Sequence, residues 1–509
     1  MTTRTRRPAR PGLTLAAVLL ALATVVSAVA SLNVAIPDIA RSTGASNTQI
    51  AWVIDAYALS FAALLLPGGA LGDRIGRRRV LIGGLVLYGV VAGSVIVLDQ
   101  PAHLIVVRAL LGVGAAVVMP ATLSTITATF PPERRVDAVA LWAGVAGASA
   151  ILGLLTSGIV LELWSWRSVF LLSTVLALAA LVGVVLAVPE SADPEAASKD
   201  PLGVVLSVLG LTVVVYSLIE APTHGWSAVR TWGGLLAGVG VLALFAAWET
   251  RAARPLLAPR YFRHTPFLAG SISLTAQFFA FFGFIFLTLQ YLQIVRGDSA
   301  LVAALSMLPL PLGLMPAVRL APRLMARFGQ ARLVGLGLTL AAAALWVLAG
   351  ADVETPYLAF GVALWVLALG MGLAMPPATT AITDALPRAE QGVASAMNDL
   401  ARELGGALGI AVMSSVATQT YREALVLPTQ VPASIAHAAE SSFSVGAQLA
   451  EPIGGLARAA FTAGMQDALR VASFAVLVAA VVVTALLLRS ARGTRELADE
   501  ERRVRDARV

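Results

Sequence analysis

The sequence is poor in charged residues and contains no cysteine. Of its 509 residues, 13% are charged and 58% are hydrophobic. A soluble domain usually carries about 25% charged residues, so this composition excludes an ordinary soluble protein. The absence of cysteine excludes disulfides and thiol chemistry, and it does not identify a compartment.

The sequence contains long runs of apolar residues. A helix needs about 20 apolar residues to cross the hydrocarbon core, and uninterrupted runs such as 471–488 favour helices over the alternating strands of a barrel. The arginine-rich start could belong to a signal peptide. We interpret it instead as the flank of a retained first helix, because the run continues to Leu32 without a small-residue cleavage site.

The runs predict an all-α membrane protein with 14 transmembrane helices. We place the spans near 12–33, 48–71, 79–98, 102–125, 138–160, 167–188, 202–220, 231–249, 266–292, 300–321, 332–350, 357–382, 393–417 and 467–489.

Arginines cluster on one side of this topology. An even number of spans puts both termini on the same side, where the loop 74–79, the stretch 251–263 and both tails carry the arginines. By the positive-inside rule we predict that this side is cytoplasmic. The net charge of +7 then reflects topology and attraction to anionic lipid headgroups, and we expect no nucleic-acid partner.

The loop between the second and third spans reads GALGDRIGRRR over residues 69–79. Gly76 permits a turn too sharp for a side chain, and Asp73 can cap a neighbouring helix or pair with an arginine. We expect this loop to gate a conformational change, although its arginines could merely anchor headgroups. The gating residues we predict are Gly69, Asp73, Arg74, Gly76 and Arg77.

Charged residues inside spans are costly to bury and are seldom kept without a use. Asp55 in the second span and Arg108 in the fourth lie at a similar predicted depth, and Glu403 lies near the middle of the thirteenth. We interpret these three residues as proton-coupling candidates. The alternatives are a permanent ion pair, or an Asp55 that faces the outside water.

Two further charges accompany Glu403. Asp399 and Arg402 are spaced i, i+3 and can pair on one helix face. Arg402 could instead neutralise a neighbour on another helix.

Aromatic and methionine side chains with few polar groups suit large lipophilic guests. The ninth span is rich in phenylalanine, and the twelfth carries methionines. Such residues often face lipid or a neighbouring helix instead. The substrate-cavity residues we predict are Asn33, Trp52, Tyr57, Gln290, Gln293, Met371, Met375 and Asn398.

Taken with the loop 69–79, several segments resemble the fourteen-helix drug:proton antiporters of the major facilitator superfamily. They are 33–37 (NVAIP), Trp166-Arg167 and 392–395 (GVAS). The resemblance implies two six-helix bundles with two additional helices, and export by alternating access against an inward proton flow across a bacterial inner membrane. Ala28 replaces an aspartate common in that family, and Leu154 replaces a proline of its antiporter signature.

The predicted organisation follows this pattern. Residues 1–190 form an N-terminal six-helix bundle, 191–262 two additional helices, 263–490 a C-terminal bundle and 491–509 a charged cytoplasmic tail. We predict that the outer loop 418–466 forms short amphipathic helices, the alternative being a flexible loop.

Other classes of function lack their motifs. The sequence has no P-loop for a primary pump, no filter-like loop for a channel, and four scattered histidines without metal-ligand spacing. We therefore expect no enzyme, no metal and no cofactor. The sequence indicates a monomeric, multi-pass exporter of lipophilic, cationic drugs in exchange for protons. The alternative is a dedicated exporter of one endogenous antibiotic or secondary metabolite, with or without proton coupling.

Overall fold

The computed structural model describes residues 11–98, 100–191, 200–253, 255–256, 259–386 and 391–506, and in this part of the chain every regular element is a helix. The helices are α1 (Pro11–Thr43), α2 (Asn47–Ile75), α3 (Arg77–Gly93), α4 (Pro101–Thr129), α5 (Pro132–Leu163), α6 (Arg167–Ala187), α7 (Pro201–His224), α8 (Val229–Glu249), α9 (Thr265–Ile294), α10 (Ala300–Leu305), α11 (Pro309–Phe328), α12 (Gln330–Leu348), α13 (Tyr357–Asp384), α14 (Gln391–Ala424), α15 (Ala433–Ser441), α16 (Phe443–Gly446) and α17 (Ile453–Asp506).

Within the described ranges, fourteen spans are long and apolar enough to cross a membrane, which confirms the predicted number. They are α1 to α9, α10 together with α11, α12, α13, α14 and α17. Helix α14 continues to Ala424 and α17 begins at Ile453, so both helices extend into the predicted outer loop 418–466, which also contains the short helices α15 and α16. Apolar length marks where a helix leaves the membrane, and a helix can continue beyond that point when its polar turns are packed. Here Tyr421 packs edge-on against Phe443, with ring centroids 4.7 Å apart.

The chain divides into two compact units. The first unit comprises Met1–Leu256, Gly283–Ser306 and Ile410–Met465, and the second comprises Leu257–Phe282, Met307–Gly409 and Gln466–Val509. In the first unit α2 packs on α4, α1 on α5 and α6, and α7 on α8. In the second unit α13 packs on α11 and α12. The boundaries at 190 and 262 stay a prediction.

Glycines bring helix backbones into direct contact. A Cβ added at Gly112 of α4 would lie 2.5 Å from the carbonyl oxygen of Tyr57 on α2. One added at Gly337 of α12 would lie 2.5 Å from the carbonyl oxygen of Gly370 on α13. Small residues let membrane helices approach this closely, and the gain is van der Waals contact along both backbones.

The helix pair α7 and α8 is fastened at both ends. At one end Asp200 caps α7, because its carboxylate accepts hydrogen bonds from Gly203 N (2.8 Å) and from Trp248 Nε1 on α8 (2.8 Å). At the other end Thr231 Oγ1 donates to the Gly225 carbonyl (2.9 Å). The hairpin is therefore held by its own residues.

The carboxyl group of Asp200 has a pKa below its ordinary value. Burial alone would raise the pKa of its carboxyl group, but hydrogen bonds from Gly203, Trp248 and Glu249 hold that pKa below its ordinary value. A carboxylate with a lowered pKa stabilises the folded protein above the unfolded pKa, and this contribution disappears as the pH falls through the folded pKa.

We expect Asp200→Ala to destabilise the protein by about 2 kcal/mol, because the variant loses a helix cap and a bond to Trp248. Unfolding temperature in detergent would measure the loss, with the exposed Glu354→Ala as a control. The difference from wild type should shrink below about pH 4. An equal unfolding temperature at pH 7 would contradict the role of the cap.

Candidate functional site

Arg108 is a buried cation held by α2. Its side chain is 2% exposed, its Nε donates to the carbonyl oxygen of Val53 (3.0 Å), and its guanidinium lies 4.3 Å from the centre of the Tyr57 ring. A carbonyl and an aromatic face both stabilise a desolvated cation. The close approach of α2 and α4 at Gly112, one turn away on α4, brings Arg108 within reach of these groups.

Asp55 lies between Val53 and Tyr57 on α2, yet Arg108 does not pair with it. The Asp55 side chain is 0% exposed, and neither carboxyl oxygen has a hydrogen-bond partner among the described residues. Asp55 and Arg108 therefore do not form the ion pair that was one alternative. Val53 and Tyr57, which contact Arg108, lie on the opposite face of α2 from Asp55, because residues two apart in a helix are rotated by about 200°. An unpartnered carboxyl group in an apolar interior is costly when charged.

In the second unit, Arg402 of α14 does not form the i, i+3 pair that the sequence allowed. Its guanidinium lies 5.2 Å from the centre of the Phe278 ring on α9, and its Nη2 lies 3.8 Å from the sulfur of Met375 on α13. Among described residues it has no ion-pair partner within 4.0 Å, although Asp399 and Glu403 are half-buried on the same helix.

The loop after α2 turns at Gly76, whose φ of +113° favours glycine. Glu190, which follows α6, holds this turn. Its Oε1 accepts from Arg78 N (3.2 Å), its Oε2 lies 3.6 Å from Arg79 Nε, and Arg77 N donates to the Ser191 carbonyl (2.9 Å). The sharp turn that the sequence predicted is therefore present. The sequence argument missed Glu190, for which a carboxylate near a helix N-terminus was the available signal.

The other predicted gating residues are placed as follows. Gly69 lies against Pro120 on α4, where an added Cβ would be 3.5 Å from the proline Cβ. Arg74 is exposed in the last turn of α2. The side chain of Asp73 lies outside the described residues.

Most of the predicted substrate-cavity residues are buried in helix packing. Two of them bond within their own helix: Asn33 Nδ2 donates to Val29 O (3.0 Å), and Gln290 Nε2 donates to Phe286 O (2.9 Å). The buried members are Asn33, Tyr57, Gln290, Met371 and Asn398, and the half-buried members are Trp52, Gln293 and Met375.

Trp52 of α2 faces α7. Its Nε1 donates to Glu220 Oε1 (3.3 Å), and its ring centre lies 6.0 Å from that of Tyr216. Glu220 was missed by the sequence argument. A single acid at the end of an otherwise apolar span was the signal that could have found it.

Hydrogen bonds join the two halves of the sequence at one end of the first unit. We call this end the distal end; α1, α7 and α14 finish there. Gln293 Nε2 donates to Val34 O (3.0 Å), Arg422 Nη1 donates to Pro222 O (2.7 Å), and Leu301 N donates to an oxygen of Glu162 (3.4 Å).

The segment between α14 and α17 adds to the distal end. The Phe443 N–H at the start of α16 donates to Asn47 Oδ1 at the start of α2 (2.9 Å), and both groups are buried. Phe443 also packs between Tyr421 and Phe461, with ring centroids 4.7 and 4.8 Å away. Asn47 therefore joins the start of α2 to the segment between α14 and α17.

Within the described residues, no group of three or more histidine, cysteine, aspartate or glutamate side chains could hold a metal ion. Three ionisable groups in the spans remain as candidates for function: the buried carboxyl group of Asp55, the buried Arg108 held by α2, and the half-buried Arg402 on the Phe278 ring.

Relatives of known name match along most of the chain. The multidrug efflux pump LfrA of Mycolicibacterium smegmatis is 34% identical over 488 residues, covering 94% of this chain and 97% of LfrA. The tetracenomycin C resistance and export protein of Streptomyces glaucescens is 32% identical over 408 residues, covering 79% of this chain and 75% of that protein.

A crystal structure of a bacterial homologue of the human lysosomal transporter Spinster shares the fold. It superposes with a TM-score of 0.68 at 16% identity, covering 94% of this chain and 97% of that one. The family model of the Major Facilitator Superfamily matches residues 15–410. The chain therefore belongs to the Major Facilitator Superfamily.

Proposed function

We propose that the protein exports lipophilic cations from the cell in exchange for protons. The observation that carries this proposal is Asp55, a buried carboxyl group without a hydrogen-bond partner in a membrane-spanning helix of a Major Facilitator Superfamily member. A membrane protein seldom keeps an ionisable group there unless the group carries an ion or a substrate.

Asp55 carries the proton in the conformation described. Burial without a counter-charge favours the neutral acid over the carboxylate. When α2 and α4 move so that the carboxyl group meets water or Arg108, the charged carboxylate is stabilised and the proton leaves. Arg108, already stabilised by Val53 and Tyr57, is a fixed cation that lowers the cost of this step. Glu403 is the second proton site, in the other unit.

Alternating access follows from the distal end. The bonds from Gln293 and Arg422 to carbonyl oxygens, and from Phe443 N to Asn47, close this end in the described conformation. With both termini cytoplasmic, the distal end faces outside, so release of a guest requires these bonds to break. The loop 69–79, held at Gly76 by Glu190, gates the opposite side, where Asp73 and its arginines act.

Export of several drugs is the better of the two candidate activities. The multidrug pump LfrA matches 94% of this chain, whereas the dedicated tetracenomycin C exporter matches 79%. Two acids that become carboxylates when they release their protons also favour cationic guests over neutral ones. We further propose that the protein acts as a monomer in a bacterial inner membrane, surrounded by lipid. The dedicated exporter of one endogenous antibiotic is the second candidate, supported by the tetracenomycin relative.

Ethidium transport into everted membrane vesicles tests the function. We expect uptake to require an acidic vesicle interior and to stop when nigericin collapses the proton gradient. Vesicles from cells without the protein supply the background.

Uptake that persists after the gradient is collapsed would contradict proton exchange. If ethidium and tetraphenylphosphonium both remain outside while a single secondary metabolite is taken up, the dedicated exporter is the correct assignment.

A further inference from the structure

The phenylalanine cluster on α9 contacts Arg402, a cation that belongs to the protein itself. Phe278, Phe281 and Phe282 pack edge-on or tilted, with ring centroids 5.8 to 6.5 Å apart. The guanidinium of Arg402 lies 5.2 Å from the centre of the Phe278 ring. All four side chains are half-buried, so each keeps accessible surface.

Arg402 contacts an aromatic ring although a carboxylate is available on its own helix. Asp399 lies three residues earlier, a spacing that places two side chains on one helix face. An arginine usually gains more from a desolvated carboxylate than from a phenyl ring. Arg402 nevertheless contacts Phe278 and the sulfur of Met375, with no carboxylate within 4.0 Å among the described residues.

We propose that Arg402 is a resident cation, which occupies the Phe278 ring until a lipophilic cation displaces it. This inference rests on the proposed function, and it identifies the residue that sets the preference for cationic guests. The ring, the thioether and the neighbouring rings offer a cation the same surroundings that they give the guanidinium.

Displacement leaves the guanidinium free to turn toward Asp399. The gain from that ion pair offsets the loss of the ring contact, so a cationic guest can displace the guanidinium at little cost. A guest of negative charge would instead pair with Arg402 where it stands, without moving it.

Two probes of the same shape and opposite charge separate these effects. Tetraphenylphosphonium is a cation and tetraphenylborate an anion, and both carry four phenyl groups. Their dissociation constants can be measured by equilibrium dialysis on the full-length protein purified in detergent. We expect Arg402→Gln to bind the cation about tenfold more tightly than wild type, because the competing guanidinium is gone. The same variant should bind the anion more weakly.

Arg332→Gln is the matched control, since it removes an exposed arginine from the same unit. We expect both dissociation constants to stay at wild-type values in this variant. A cation affinity unchanged by Arg402→Gln would overturn the proposal, as would an equal gain for both probes, which would mean only that the smaller side chain makes room.

A second variant keeps the test decisive if Arg402→Gln does not fold. Phe278→Leu removes the ring, so we expect weaker binding of the cation and unchanged binding of the anion. In the Phe278→Leu background the effect of Arg402→Gln should vanish. If neither wild type nor any variant binds the cation, the resident-cation proposal fails, whereas proton-driven ethidium uptake would still support the proposed function.

Discussion

We expect Asp55→Asn to reduce gradient-driven ethidium uptake by at least about tenfold, since an amide has the size of the acid and cannot release a proton. The variant should fold, because the buried group has no hydrogen-bond partner to lose among the described residues. An amide is also easier to bury than a carboxylate. Uptake into everted vesicles at equal protein amount is the measurement.

Two controls make this result interpretable. Asp384→Asn removes an exposed carboxylate and should leave uptake unchanged. Glu403→Gln reports on the other unit. Loss of uptake in Asp55→Asn with normal ethidium binding places the defect in coupling. Full gradient-driven uptake by Asp55→Asn together with loss in Glu403→Gln would transfer the coupling role to Glu403.

The second large effect is expected at Gly112. A single methyl group in Gly112→Ala would stand 2.5 Å from the Tyr57 carbonyl oxygen and 2.9 Å from the Ser60 Cβ. Because a helix backbone and a Cβ cannot turn aside as a long side chain can, α4 must move away from α2. We expect a loss of about 3 kcal/mol of stability. The shift should also separate Arg108 from Tyr57 and abolish transport.

Gly83→Ala on α3 is the matched control, because an added Cβ there meets nothing within 4 Å. Alanine is a better helix former than glycine by about 1 kcal/mol, so this variant should gain stability while Gly112→Ala loses it. Unfolding temperature and vesicle uptake measure both. An unaltered Gly112→Ala protein would mean that α2 and α4 pack more loosely than the structure shows.

The sequence was sufficient for the spans and the turn at Gly76 because apolar length and the need for a positive φ are local properties. The neighbour that a charged side chain contacts depends instead on how the helices pack. Asp55 and Arg108 were predicted at one depth, but the rotation of α2 decides that Arg108 meets Val53 and Tyr57.

The predicted substrate cavity shows the same limit. Residue type predicted aromatic, methionine and amide positions, but five of the eight are buried in helix packing. A polar amide such as Gln290 can be buried there because it forms a hydrogen bond within its own helix. Trp52 was expected to meet a guest, yet it hydrogen-bonds to Glu220 on α7. No local pattern reveals such a contact between residues 168 positions apart.

The hydrogen bonds at the two ends of the α7–α8 hairpin make it a self-contained element of the chain. Asp200 and Trp248 join the two helices where the chain enters and leaves the pair, so its entry and exit points lie close together. A hairpin of this kind suits insertion between two existing segments, because it need not stretch or reorient the chain on either side. The hairpin could then be removed or replaced as one piece with little change to the chain on either side.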